Sequence, residues 1–541
     1  MSRLLSYRHL SLTGYACLGM IPYQILRPSV PDSNIRSLPL GPVSPTVVDM
    51  TRLLSICDTL GFTALSHMFR AIQGSAMDFA RVFVYKQTSS LSPEQIWSFR
   101  KALAWPRVTW TKGSRCIQDL AEVGVLKLVK TVRRKADLLL SLGGPQSTPI
   151  ALTTIFPVLK ANLSSVRGVV NPWINVLMSK PFFTDCGLPR LHPALASMRR
   201  FSFMKLYDGV SMFYQYGLSD SVANLFVAVL KPPKGSKRID LFCHTRLPMG
   251  FTYAVHLSQG GLTIVCEMAI LLMGSNGKLV GYFIWVDNIM LAGETKLVLE
   301  RFSALFEMVA KYVNMVVRAE TDIVTAGQWS GLHIDLTDKC YSLSEKFLEK
   351  ASDLLSFIKT QSGLPLIVYQ KYLGCIAYAA YVLRFPFGYL HSYMRLPVVD
   401  GHIPMDGVSH AVVEPLFQKG VKMPLVPTSR LCAGDYILFT DASTEALGAV
   451  LIKGDNAPLH LSRRWPLSYA NVHINILEAR ALLTSLAHWP ELKDMQLDVY
   501  CDNTAVVGAV SKFYSPSVEL NAVVVEIHKL CLVKNLYLTI H

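Results

Sequence analysis

The chain has 541 residues, 51% of them hydrophobic and 17% charged, a balance that excludes a broadly disordered protein and allows several domains with their own cores. A formal net charge of +15 and a pI of about 9.2 favour a polyanionic partner, of which nucleic acid is the usual one, although a basic protein without such a partner fits the charge equally well. Eleven cysteines without a CxxC pair read as reduced thiols of a cytosolic or nuclear protein, with neither a zinc site nor a disulfide framework.

The first thirty residues mix Arg3, Arg8 and Pro22 with apolar residues and make a poor signal peptide. Residues 1–115 form an N-terminal extension whose role the sequence does not disclose; "MTRLLSICDTL" and "PEQIWSFRKALAW" are helix fragments within it. The stretch from residue 117 reads as helix, short strand and basic segment. Lys127, Lys130, Arg133, Arg134 and Lys135 cluster there, as a nucleic-acid contact or as a solvated face. Residues 150–340 alternate β-type and helical runs, as α+β domains do. The most apolar stretch, "LTIVCEMAILLMG", is too short to span a bilayer and carries Glu267, so no membrane is expected. Residues 343–395 look helical, 398–430 are rich in Pro and Gly and read as a connection, and a second domain opens with "YILFTDAS".

Two groups of carboxylates stand out. In the first, "MKLYDGVSMFYQYGL" puts Asp208 at the end of an apolar run, "FCHTRLPMGFTYAVHLSQ" places a Pro-Met-Gly turn before a helical pattern, and "GYFIWVDNIMLAG" isolates Asp287 in an apolar run. A buried acid of that kind needs a hydrogen bond, an ion partner or a metal. Two acids side by side on one sheet can hold a pair of Mg²⁺ ions about 3.5–4 Å apart. In the second group, "YILFTDASTEALGAVLIKG" ends a strand at Asp441 and "HINILEARALLTSLAHW" is an amphipathic helix containing Glu478. "LDVYCDNTAVVGAV" ends a strand at Asp502, before a helix that Asn503 or Thr504 could cap.

In order and spacing, the first three segments resemble motifs A, B and C of reverse transcriptases. Asp208 matches the motif A aspartate, "LPMGF" is similar to the retroelement "LPFGL", and "WVDN" is similar to "Y-x-D-D", with Trp285 in place of Tyr and Asn288 in place of the second acid. Upstream, "IFPVLKANLSSVRGVVNPWIN" resembles the fingers segment, with Lys160 and Arg167 on its triphosphate-contacting positions; downstream, "QWSGLHIDLTDKCYSLSEK" resembles the primer grip and thumb entry. The second group resembles a retroelement ribonuclease H domain, with Asp441, Glu478 and Asp502 on its first three metal-binding acids. The family has a fourth acid on a helix after the last strand; "NLYLTIH" looks like that strand, which suggests a truncated domain or one completed elsewhere.

The resemblance implies an α+β fold: a right-hand polymerase of fingers, palm and thumb followed by a ribonuclease H-like α/β domain. It assigns 116–340 to fingers and palm, 341–397 to thumb-like helices, 398–434 to the connection and 435–541 to the ribonuclease H-like domain. It further implies RNA-directed DNA synthesis by two Mg²⁺ ions per active site, with Mn²⁺ as a substitute. The partners are then an RNA template, a DNA primer, an RNA–DNA hybrid and dNTPs, inside the cell. Phe213 falls on the aromatic that crowds the sugar 2′ position, and Met249 and Gly250 on the floor of the nucleotide pocket. "GLHIDLTDKCYSLSEK" and the ending "YVLRFPFGYLHSYMR" are most similar to DIRS-like, tyrosine-recombinase retroelements. Two alternatives remain at this point: a decayed or domesticated copy that binds nucleic acid without chemistry, and a structural protein that keeps only the scaffold.

Overall fold

The computed structural model describes residues 32–83, 110–133, 152–160, 164–172, 174–175, 191–232, 234–425, 436–454 and 456–541. The fold is mixed, helices and sheets together, in agreement with the α+β expectation. The chain forms two compact units: one within Pro22–Pro189 and Phe203–Val324, the other including Arg190–Ser202 and Thr325–His541. Arg134, Lys135 and the helix expected in "PEQIWSFRKALAW" lie outside the described residues.

In the first unit, a four-stranded sheet runs Val317–Ala319, Phe203–Gly209, Asn288–Gly293, Val280–Trp285, every neighbouring pair antiparallel. One face of it is closed by helices Ala254–Met273 and Lys296–Tyr312, whose Leu257, Leu262, Val265, Leu299, Phe302 and Phe306 enter one core. Thr295 caps the second helix through its hydroxyl, which accepts from Val298 N. A second sheet, in the order Leu126–Val132, Ile239–His244, Val227–Leu230, Leu152–Leu159, Val166–Pro172, carries the hairpin in which Val158 pairs with Arg167.

Within the N-terminal stretch whose role the sequence does not disclose, three described helices enter the core. Helices Met50–Thr59, Thr63–Gln73 and Ala76–Phe83 contribute Leu53, Leu65, Phe69 and Phe79 to the same apolar cluster as Ala254–Met273. The contact is close because Gly260 has no side chain: a Cβ there would lie 2.2 Å from Leu65 Cδ2. Helix Ala254–Met273 is also where the length read from the sequence needs correcting. Extended by one 3₁₀ segment to Leu279, it is long and apolar enough to cross a bilayer. Its most apolar window is 61% buried, however, and its hydrophobicity is used within the protein core.

In the second unit, hairpin strands Ala326–Trp329, Leu332–Asp335 and Cys340–Leu343 lead into helices Glu345–Lys359 and Leu366–Val382. Ser344 caps the first of these helices by accepting from Phe347 N. A five-stranded sheet then runs Leu459–Arg464, Ala446–Lys453, Tyr436–Ala442, Met495–Tyr500, Leu536–Ile540. The first three strands are antiparallel to one another, and the last two add in parallel. Helices Ile474–His488 and Val518–Val533 fill one core with Leu482, Leu486, Val524 and Ile527. This layer is tied to the preceding helices, since Arg384 donates to Asn535 Oδ1 and Leu536 O, each at 2.8 Å.

Candidate active sites

The first site is built on the four-stranded sheet. Asp208 lies near the end of its strand, directly opposite Asn288 on one side and Arg318 on the other. Asp287 occupies a two-residue turn, because Trp285 pairs with Asn288 across the hairpin. The turn is strained: Val286 has φ of 63°, a left-handed conformation costing a β-branched residue roughly 1–3 kcal/mol. Two contacts hold it. Val286 N donates to Gln259 Oε1 of the long core helix, and Gly209 N donates to Asp287 O at 2.8 Å, pinning the turn to the end of the Asp208 strand. The sequence therefore places two acids together through strand register and one forced turn.

The electrostatics follow from that proximity. Burial, then the Asp208 charge, push the Asp287 carboxyl up to about 6. Burial also raises Asp208, against the pull of Arg318, Arg167 and Lys160. Arg318 Nη2 donates to Asp208 Oδ2 at 3.1 Å, and Asn288 Nδ2 donates to Asp287 Oδ1 at 3.2 Å. Lys160, just past its strand, is lowered by burial and by Arg167. Both expected cations thus share the electrostatic neighbourhood of the two acids.

Glu320, which no motif singled out, belongs to the same group. Its N–H donates to Leu206 O, extending the pairing that sets Arg318 beside Asp208, and its carboxyl is raised by burial and then by Asp208. Glu320 directly follows the strand Val317–Ala319, which is too short to show an alternation that would have flagged it.

Met249 and Gly250 sit against the hairpin that carries Arg167. Met249 O accepts from Val170 N at 2.9 Å, and Gly250 has φ of 112°, where a Cβ would lie 1.9 Å from Val170 O. Only glycine fits there. Gly250→Ala should therefore cost on the order of 3 kcal/mol, from strain plus the displaced Val170 backbone. A urea-denaturation midpoint equal to the parent's would contradict this. Phe213 is 5% exposed and packs in the core with Met212 and Tyr216. Lys127 and Arg133 are exposed, on or just after the edge strand, with Lys127 3.7 Å from Asp220; Lys130 is exposed on the same strand.

No protein-family model and no curated protein matches the chain. Among solved structures it is similar to a foamy viral protease–reverse transcriptase in complex with an RNA/DNA hybrid, at 13% identity and a TM-score of 0.44, over 85% of this chain and 55% of that one. It is similar at 14% identity to the dRH form of that protein with double-stranded DNA, TM-score 0.46, over 93% of this chain and 83% of that one. A further complex with double-stranded DNA aligns at 14% identity and a TM-score of 0.43, over 92% of this chain and 99% of that one. The chain spans about half the length of the first of these. Likenesses this distant assign no chemistry, which rests on the side chains themselves.

The second site lies at the carboxyl ends of two neighbouring parallel strands, the place where open α/β sheets bind ligands. Phe439 pairs with Tyr500, so Asp441 and Asp502, each two residues farther on, follow each other at the strand ends. Asn503 Oδ1 accepts from Ala505 N and Val506 N and caps the next helix, as the sequence allowed. Its Nδ2 donates to Asn475 Oδ1 at 2.9 Å, which locks the helix bearing Glu478 against that strand end. Glu478 is 4% exposed, and its Oε2 has no hydrogen-bond partner among the described residues. Burial, opposed by the Ala442 amide and reinforced by Asp441 and Asp502, pushes its carboxyl up to about 7. The donors in both sites suit a divalent cation. The first offers hard oxygens, and the second keeps a buried oxygen with unused lone pairs.

Proposed function

We propose that the first site is the active centre of an RNA-directed DNA polymerase of a DIRS-like retroelement, using dNTPs, and that the second is a ribonuclease H-like centre acting on the RNA strand of a hybrid. The observation that carries the polymerase reading is that Asp208, opposite Asn288 in its strand, and Asp287 in the adjoining turn feel each other's charge at one end of the antiparallel sheet, with Lys160 and Arg167 acting on Asp208 and Arg167 on Asp287. Mg²⁺ bound there would supply Lewis-acid activation of a primer 3′-hydroxyl and neutralise the departing pyrophosphate. Asp208 and Asp287 would hold the metal, giving up their mutual repulsion as they do so. Lys160 and Arg167 would bind the triphosphate, Arg167 having the planar fork that suits phosphate oxygens. The Met249–Gly250 backbone would form the pocket floor, and Phe213 would back the sugar.

A second reading, a chain that binds template and primer without extending them, is favoured by one observation. Asn288 stands where the motif has an acid, and its amide donates to Asp287. An amide supplies no negative charge to a Mg²⁺ site. Asn288→Asp would remove that donor and add a charge beside Asp287. The variant should unfold more easily without metal, by about 1 kcal/mol, and need severalfold less Mg²⁺ for half-maximal extension. An inert parent rescued by Asn288→Asp would establish the second reading; an active parent with unchanged Mg²⁺ demand in the variant would show that position 288 does not touch the metal site.

A further inference from the structure

The strand end that bears Asp502 also bears a thiol. Cys501 is 8% exposed, and its sulfur, an oxygen of Glu478 and an oxygen of Asp502 all lie within 4.8 Å of one another. Glu478 brings the buried Oε2 that has no hydrogen-bond partner among the described residues. We propose that Glu478, Cys501 and Asp502 form a binding site for one borderline-soft divalent cation of the Zn²⁺ class, with the Cys501 sulfur as the ligand that distinguishes it from Mg²⁺. The site shares two residues with the proposed nuclease centre but stands on its own geometry, whether or not that centre hydrolyses RNA.

The chemistry of the donors supports the choice of ion. A thiolate selects Zn²⁺, Cd²⁺ or Co²⁺ over Mg²⁺, which takes oxygen and keeps its waters. Zinc bonds to sulfur at about 2.3 Å and to carboxylate oxygen at about 2.0–2.2 Å, so tetrahedral donors lie about 3.3–3.8 Å apart. Even a pair at the 4.8 Å limit of the cluster would reach that spacing by closing about 1–1.5 Å. Three protein ligands leave a fourth position for water. On binding, the thiol proton passes to solvent and the sulfur–metal bond replaces it; no oxidation state changes. Spacing in the sequence hides the site, because its ligands come from one helix and one strand end, with no CxxC or Cys–His pattern.

Because the soft ion would engage Glu478 and Asp502, it should compete with any Mg²⁺ that uses them. The test is a Cd²⁺ titration of the purified full chain, read by the sulfur-to-metal charge-transfer band in the ultraviolet. The expected result is a band that saturates at one equivalent, loses that equivalent in Cys501→Ser and requires at least tenfold more Cd²⁺ in Asp502→Asn. Asp502 is exposed, so that variant keeps the test valid should the cysteine variant fail to fold. Zn²⁺ should abolish the band in the parent by displacement, and millimolar Mg²⁺ should not. A parent without a stoichiometric band, or a band unchanged in Cys501→Ser or Asp502→Asn, would overturn the proposal. Hydrolysis of an RNA–DNA hybrid with Mg²⁺ alone is a separate readout: its absence, with the cadmium band present, would sink the nuclease reading and leave this one standing.

Discussion

Asp287→Asn is expected to give a chain that resists unfolding better than the parent in the absence of metal and extends no primer. The two effects share one cause. Asp287 sits beside Asp208 in a poorly hydrated turn, and its carboxyl is raised to about 6 from an ordinary 3.8. A raised acid holds its proton more tightly folded than unfolded. The stabilisation this confers is complete below about pH 4 and is lost as pH rises through about 6. At pH 8 the ionised acid therefore destabilises the metal-free fold by roughly 1–3 kcal/mol, since each tenfold gain in proton affinity on folding is worth about 1.4 kcal/mol. Asparagine removes that cost while retaining an oxygen able to accept from Asn288. It also removes half of the negative charge that would hold the metal, so extension should fall by at least about a thousandfold. Chemical denaturation at pH 5 and pH 8, with and without Mg²⁺, checks this. Between the two pH values the variant should lose less stability than the parent, and regain less with Mg²⁺, the remainder of both effects coming from the other raised acids, Glu478 above all. A variant that extends primers at the parent's rate would remove Asp287 from the metal site.

The second large effect concerns Glu478. Its carboxyl is raised to about 7 by burial first, so the metal-free second unit should lose stability as pH rises from about 4.5 through 7. Glu478→Gln should stabilise that unit by roughly 1–3 kcal/mol at pH 8, with the gain vanishing at pH 4. The same variant should abolish Mg²⁺-dependent cleavage of the RNA strand of a hybrid. Calorimetry across that pH range together with a hybrid-cleavage assay measures both. A variant as stable as the parent at pH 8 would show that the buried carboxylate already has a charge partner.

The two variants also show which parts of the molecule are legible in the sequence. Asp208, Asp287, Asp441 and Asp502 end or interrupt apolar strand-like runs, and a polar residue in such a run announces itself. Their strands form where the runs lie. Glu478 is legible as a helix residue, but not as a buried one; its burial comes from Asn475 and Asn503 closing two distant segments together. Glu320 and Cys501 have no local signal at all. One follows a three-residue strand, Val317–Ala319, whose partner is more than a hundred residues away, and the other looks like any buried thiol. The strain at Val286 is equally silent: the sequence reads there as strand, acid, turn and strand, but nothing in it shows that Val286 takes a left-handed conformation, pinned by Gln259 and Gly209. The N-terminal helices escape for a related reason. Their apolar faces are readable, but their partner, the Gly260 face of the core helix, lies about two hundred residues on in a segment whose hydrophobicity hides any periodicity.

The most direct test of the polymerase reading is primer extension by the full chain, on a defined RNA template annealed to a DNA primer, with all four dNTPs and Mg²⁺ or Mn²⁺. The expected result is template-directed addition of dNMP residues by the parent, and none by Asp208→Asn, although that variant still binds the template–primer. A parent that binds template–primer yet adds no nucleotide with either ion would contradict it.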